Sequence, residues 1–269
     1  LEVNTLTLKI IVPVKQVPEV ADVKVNQETG TLIRDGVPSI LNPFCEFAVE
    51  AAIQLKEKHG GEVTIVTMGP PQAKDVLLKA LAMGGDRAVH LTDRSFAGAD
   101  TWATAFTLAE YICKMEFDLV ICGKQAIDGD TAQVGPELAE LLGVPQICYV
   151  RKIEISEDGK TVTAHRSTDE GYEVVKAKLP VLLTATKGLN EPRLPNIMGI
   201  MKAKQKPFEE VNIEKLGTDP DRLGLMGSPT QVRKVFAPEK KKGGIKIEAE
   251  DPAAAAKQLV EFLTKKGAI

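Results

Sequence analysis

Apolar positions along the first half of the chain follow two periods. Short consecutive runs at residues 8–15 (LKIIVPVK), 62–67, 87–91, 117–122 (FDLVIC) and 146–150 read as buried strands. Between them apolar residues recur at helical spacing. One set is Phe44, Phe47, Ala48, Ala51, Ala52 and Leu55; a second is Val76, Leu77, Ala80 and Leu81; a third is Trp102, Ala105, Phe106, Ala109 and Ile112. The spacing predicts helices over residues 72–83, 100–115 and 131–142, and another opening at Asn42-Pro43, a cap residue followed by proline at the first helical position. Gly60-Gly61 and Gly84-Gly85 close two of them. A small hairpin is expected over residues 23–33, around Glu28-Thr29-Gly30.

Strands alternating with helices of this length imply βαβ units, hence a parallel sheet covered on both faces, with ligands received at the strands' C-terminal edge. The expected fold is α/β, a Rossmann-like three-layer sandwich spanning residues 8–186. Residues 152–156, 161–167 and 172–178 break the alternation and read as an antiparallel excursion within 151–178, joined by Asp-Gly and Glu-Gly turns; residues 180–186 then return to the sheet. Residues 187–206 combine Pro, Gly, Ile and Met between charges, as a mobile docking loop would. An ordinary surface loop has the same composition. The chain from 207 to 269 reads as an arm packed on another protein, ending in a helix capped by Asp251 with Pro252 first and Leu259, Val260 and Leu263 as its stripe.

Composition narrows the function classes. The formal charge is −3 and aromatic content is 4%, which disfavours a nucleic-acid surface. The four cysteines are widely spaced, with no pair suited to zinc or iron–sulfur ligation, and they read as reduced thiols in a cytoplasmic setting. No apolar run is long enough to span a membrane. His59, His90 and His165 are the only histidines, none near a nucleophile motif, so side-chain catalysis is disfavoured and a bound cofactor is expected to carry any chemistry.

The strongest local pattern is GKQAIDGDTAQVGPE, residues 123–137, directly after the apolar strand FDLVIC. Asp130 is expected to cap the helix, with Gln133 completing a capping box. The free amides of Thr131, Ala132, Gln133 and Val134 then face the sheet edge at the positive end of the helix dipole, where a pyrophosphate fits. Gly129 permits a tight turn. The pattern is neither GxGxxG nor GxxxxGK[ST]. A capped helix after an ordinary βα loop explains it equally well. Asp128 and Asp130 are better placed for turn and cap roles than for Mg²⁺. Two further loops, at Asn42-Pro43-Phe44-Cys45 and at residues 67–71, fall on the same edge.

These motifs, with IIVPVKQVP, NPFCEFAVEAA, VTMGP, DEGYEVVKAKLP and NEPR…IMKAK in order, resemble the β subunits of electron-transfer flavoproteins along essentially the whole chain. The resemblance implies a heterodimer with a larger α subunit, whose FAD passes electrons to a flavin-dependent dehydrogenase such as an acyl-CoA or 2-hydroxy acid dehydrogenase. It implies an adenine nucleotide held by Pro13, Asn42, Pro43, Phe44, Cys45, Met68, Gly123, Lys124, Gln125, Ala126, Ile127, Asp128, Gly129, Asp130, Thr131, Ala132, Gln133 and Val134. In simpler members this is structural AMP. In electron-bifurcating members it is a second FAD that takes hydride from NADH and divides the electrons between two acceptors, one a ferredoxin or flavodoxin, in anaerobic metabolism.

The IDGDTAQVGPE cradle, the segment LTDRSFAGADTWAT (91–104) and the SPTQV run (228–232) resemble the bifurcating group and place Thr101 and Thr104 beside the flavin. The resemblance assigns partner docking to Asn190, Glu191, Pro192 and Arg193, with Ile197 where the family often has a leucine anchor. A nucleotide-binding signalling protein of the same fold, without redox function, is the reading from another class.

Overall fold

The computed structural model describes residues 7–19, 38–233, 244–248 and 251–269. The hairpin expected over 23–33 lies outside them. Two compact units divide the chain after Lys234.

The first unit is built on a nine-stranded sheet. Its strands, in chain order, are β1 (Leu8–Pro13), β4 (Gly61–Met68), β5 (Arg87–Leu91), β6 (Leu119–Gly123), β7 (Gln146–Ile155), β8 (Thr161–Ser167), β9 (Tyr172–Lys178), β10 (Val181–Ala185) and β11 (Phe208–Val211). The short strands β2 (Gln16–Pro18) and β3 (Ser39–Leu41) pair separately. The order across the sheet is β11-β5-β4-β1-β6-β10-β7-β8-β9. Pairing is parallel from β11 through β7 and antiparallel from β7 to β9. The α/β class and mainly parallel sheet read from the alternation are thus present.

Helices α1 (Pro43–His59) and α2 (Lys74–Met83) bury their apolar stripes on one face of the sheet, with Ile10, Val12, Ile65 and Ile121. Helices α3 (Thr101–Ile112) and α4 (Val134–Leu142) cover the other, with Ile11, Val66, Val120 and Leu182. The adjacent strands β1 and β6 therefore lead into helices on opposite faces. This is a topological switch point, and it leaves a crevice beyond their carboxyl ends.

Three expectations change. The fifth strand and the first strand of the excursion are one continuous β7, which bends where the register shifts between Val150 and Lys152, with Tyr149 at φ 62. Trp102, expected inside, is 40% exposed on the first turn of α3. The chain after 207 is not an arm from its start: β11 pairs with β5, and Val211, Leu216 of α6 (Ile213–Leu216) and Leu223 join the core beneath α3. Sparse apolar positions hid this, because an edge strand of four residues needs only one buried side chain. Between these, α5 (Ile197–Ala203) interrupts the loop read at 187–206.

The second unit contains α7 (Pro252–Lys265), capped by Asp251 as expected, with Leu259 and Val260 exposed. Among the described residues no helix is long and apolar enough to cross a membrane.

Candidate functional site

The crevice is lined by the loops that follow β1, β4 and β6. Pro13 ends β1; Val14 continues the pairing, its N–H donating to Val66 O at 2.8 Å. Gly123 ends β6 against the start of α1: a Cβ there would lie 2.7 Å from the Phe44 carbonyl carbon and 2.8 Å from Cys45 N. Only glycine permits that approach. Asn42 precedes α1 but does not cap it with its side chain. Its Nδ2 donates to Gln125 O at 2.8 Å and its Oδ1 accepts from Ile127 N at 3.2 Å, so a buried amide ties the 125–127 loop to α1. Lys15 adds a bidentate pair to Asp128, at 2.8 and 3.0 Å. Cys45 is buried beside Asn42, and burial pushes its thiol up, which makes it a packing residue and not a nucleophile. Met68 is half-buried at the end of β4, and His90 Nε2 meets Gly69 O of the next loop at 3.1 Å. Burial holds that imidazole below its usual range, so the neutral tautomer with the proton on Nε2 donates.

The expected cap at Asp130 is not there. Helix α4 starts at Val134 with Gln133 before it and no side-chain cap; Asp130 Oδ1 instead accepts from Gln125 Nε2 at 2.7 Å. The reason is backbone conformation: Asp130 (φ 51) and Ala132 (φ 55) are both left-handed, so the chain cannot yet be helical. Among the described residues, the amides of Thr131, Ala132, Gln133, Val134 and Gly135 find no protein acceptor. Free amides along a turn of this kind form an anion-binding concavity that does not need a regular helix start. An alanine held at φ 55 is strained, and strain of this kind collects at ligand sites. Gly129 has open space around it, while Asp128 and Asp130 are engaged by Lys15 and Gln125. Lys124 Nζ lies 5.2 Å from the Tyr149 ring centre and 5.9 Å from that of Phe44.

Beyond the cradle stands the start of α3. Asp100 caps it, Oδ1 accepting from Ala103 N at 3.0 Å, and Thr104 N donates to Asp100 O. Thr101 Oγ1 donates to Glu137 Oε1 at 3.1 Å, joining α3 to α4. The second oxygen of Glu137 is buried without a partner; burial, with the Asp100 charge added, pushes its carboxyl up. Ser228 and Thr230 of the SPTQV run meet Asp100 as well. Segments 130 residues apart in the chain therefore come together beside the cradle. Sequence reading missed Lys15, His90 and Glu137 as site residues; Lys15 and Glu137 lie inside the motifs already singled out.

The residues to which the resemblance assigns docking lie elsewhere, with Asn190 and Arg193 over α1 and Ile197 at the start of α5, which packs on α2. Asn190 Nδ2 donates to Phe47 O at 3.0 Å. Arg193 donates to both oxygens of Glu50, from Nε at 2.8 Å and Nη2 at 3.0 Å, and to Glu57 at 2.6 and 2.9 Å. Glu191 is exposed and Pro192 half-buried. Lys206 closes the far end on Leu81 O and Gly85 O. The segment read as a mobile loop is thus anchored at both ends, and it displays Leu194 (89% exposed), Ile197 (77%), Met198, Ile200 and Met201.

The switch-point sheet and the amide-lined turn define a Rossmann-like α/β protein, with a separate exposed apolar segment at residues 194–201. The electron transfer flavoprotein domain family matches residues 29–216, well over half the chain. The electron transfer flavoprotein subunit beta of Megasphaera elsdenii is 47% identical over 95% of this chain and 98% of its own length. That of Thermoanaerobacterium thermosaccharolyticum is 49% identical over 97% and 100%. The caffeyl-CoA reductase-Etf complex subunit CarD of Acetobacterium woodii is 49% identical over 96% and 99%. The chain belongs to the electron-transfer flavoprotein β-subunit family.

Proposed function

We propose that this chain is the FAD-binding β subunit of an electron-bifurcating electron-transfer flavoprotein. The observation that carries the reading is the convergence of the α3 start and residues 228–230 beside the cradle, which extends the site past the phosphate-binding turn. The residues present fit a flavin dinucleotide: a glycine whose Cβ would fill the space against α1, free amides for phosphate, and polar groups on Thr101, Thr104 and Glu137 beyond them. When bound, FAD would accept a hydride from NADH and release its two electrons singly, one to the FAD of an α subunit and one to a ferredoxin or flavodoxin, with the proton passing to solvent. The protein's part is to hold phosphates on residues 131–135, fix the loop through Asn42 and Lys15, and display an apolar surface to an oxidoreductase. No side chain here is required as a nucleophile, and Cys45 is shielded from such a role. Similarity to a subunit of a caffeyl-CoA reductase-Etf complex supports pairing with an α subunit and a dehydrogenase.

The second reading keeps the same partners but places only AMP in the cradle, as scaffold. What favours it is that the turn, Asn42 and the Phe44–Cys45 contact form a complete mononucleotide cradle without α3. Extraction and counting of flavin and AMP per purified heterodimer separates the two. Two FAD and no AMP is expected; one FAD and one AMP would establish the scaffold instead.

A further inference from the structure

Residues 223–230 run back across the loop before α3 as a fitted strap. Leu223 is buried in the core, and the Arg222 guanidinium lies 4.0 Å from the centre of the Phe106 ring in α3. Leu225 N donates to Ala97 O at 3.0 Å. Gly224 (φ 52) lets the strap touch backbone directly, since a Cβ there would fall 2.1 Å from Ser95 O. Gly227 N bonds Leu223 O at 2.9 Å and turns the strap toward Asp100.

At its end the strap grips the helix cap. Ser228 Oγ accepts from Asp100 N at 2.9 Å and donates to Gly224 O at 2.7 Å. Thr230 donates to Asp100 Oδ2 twice, from N at 2.9 Å and from Oγ1 at 2.8 Å. An N-cap needs only one bond to the helix, which Ala103 N provides here at Oδ1. Besides that bond and the one its carbonyl accepts from Thr104 N, the three bonds of Asp100 to Ser228 and Thr230 serve no helix; they fix the position of the cap itself. The next residue, Thr101, passes that position to α4 through Glu137.

We propose that Ser228 and Thr230 are positioning residues of the nucleotide site, acting through Asp100 to set the α3 wall for the part of a dinucleotide that extends past the phosphates. The proposal rests on the FAD reading above. A ligand confined to the cradle touches loops that the strap does not hold, so the strap discriminates between the two nucleotides.

The test uses the full-length chain as its heterodimer, comparing wild type with Ser228→Ala/Thr230→Val and with Thr230→Ser, which keeps the hydroxyl. Hydrogen exchange of the nucleotide-free protein reads the strap alone: the double variant is expected to exchange the Ala103 and Thr104 amides about tenfold faster, with the central strands unchanged. Equilibrium dialysis with added FAD or AMP reads the site. FAD at the β site is expected to weaken about tenfold, the scale of one or two lost hydrogen bonds, while AMP stays within about twofold and Thr230→Ser behaves as wild type. Unchanged exchange at α3, or equal weakening of FAD and AMP, overturns the proposal. A wild type that takes up AMP and no second FAD defeats the FAD reading instead, and the exchange result then decides whether the strap holds α3.

Discussion

The cradle and the docking segment both follow strands of the same sheet, yet they are held by opposite means. The cradle turn is fixed chiefly through backbone, by a glycine pressed on α1, two left-handed non-glycine residues and an asparagine bonded to main-chain groups, with one exposed ion pair, Lys15 to Asp128. The docking segment is fixed through charge, by an arginine across two glutamates and a lysine on two carbonyls. The difference suits the two roles in the proposed function. A turn that offers amides to an anion must have its own main chain preset and unpaired. A segment that offers apolar side chains needs only a rigid base, and its own long side chains, Arg193 and Lys206, reach that base on α1 and at the end of α2.

The contrast breaks first at Gly123. Gly123→Ala forces a carbon into the Phe44–Cys45 backbone, which cannot rotate away, and should cost about 3 kcal/mol, the upper part of the over-packing range. Nucleotide affinity should fall with it, while the apolar surface of α5, which packs on α2, is unchanged. Chemical denaturation with nucleotide titration checks this; normal affinity in a stable variant would show that the close approach is incidental.

Next in size is Arg193→Met. Glu50 is only 2% exposed, and removing the guanidinium leaves its charge unpaired, a loss of about 2–3 kcal/mol given that Arg193 is itself partly exposed. Burial alone would push Glu50 up, but the Arg193 hydrogen bonds outweigh it, so its carboxyl lies below the ordinary glutamate range. A folded value lowered in this way means the clasp contributes fully above that range and is lost as pH falls through the lowered value. The variant should therefore lose most stability near neutrality and least in acid, seen in unfolding curves across pH, with FAD binding unaffected. Loss of FAD together with docking would join two regions held here to be separate.

Ala132→Gly tests the strain in the turn. Glycine relieves the left-handed conformation and should stabilise the free protein by about 0.5–1 kcal/mol, after its own entropy cost. Nucleotide affinity should not rise, because the amides of 131–135 are then less firmly preset. A thermal melt and a calorimetric titration measure the two effects, and a destabilised variant would mean the alanine methyl packs where no strain argument applies.

How far the chain was legible follows the same division. Elements whose signal is periodic burial could be read: α1 and α2 from their stripes, β1 and β6 from unbroken apolar runs, and the excursion from its turns. The loop between β6 and α4 could be placed, but not its conformation. Asp130 and Gln133 fit a capping box on paper, and only the left-handed φ at 130 and 132 delays the helix to Val134. The clasp was illegible for another reason. Glu50 and Arg193 are 143 residues apart, and a lone buried acid on a helical stripe carries no signal until its partner is in place. β11 was missed likewise, since its register comes from β5 and not from its own pattern.

The smallest expected effect lies where the cradle meets the α3 wall. Glu137 is raised chiefly by burial, then by the Asp100 charge, while the Thr101 hydroxyl lowers it in part. A folded value above the unfolded one means the protonated form favours folding: stability is highest in acid and declines as pH rises from the ordinary glutamate range through the raised value. Glu137→Gln keeps an acceptor for Thr101 and removes the proton, so the variant should lose that decline and melt slightly higher than wild type near neutrality, with equal or lower stability in acid. Melting midpoints taken across that interval read the difference directly. If the decline survives the substitution, another carboxylate produces it, and the unpaired oxygen between α3 and α4 has no electrostatic consequence. If it disappears, the wall beside the cradle contains a group that binds a proton more readily when folded, as the otherwise backbone-built turn does not.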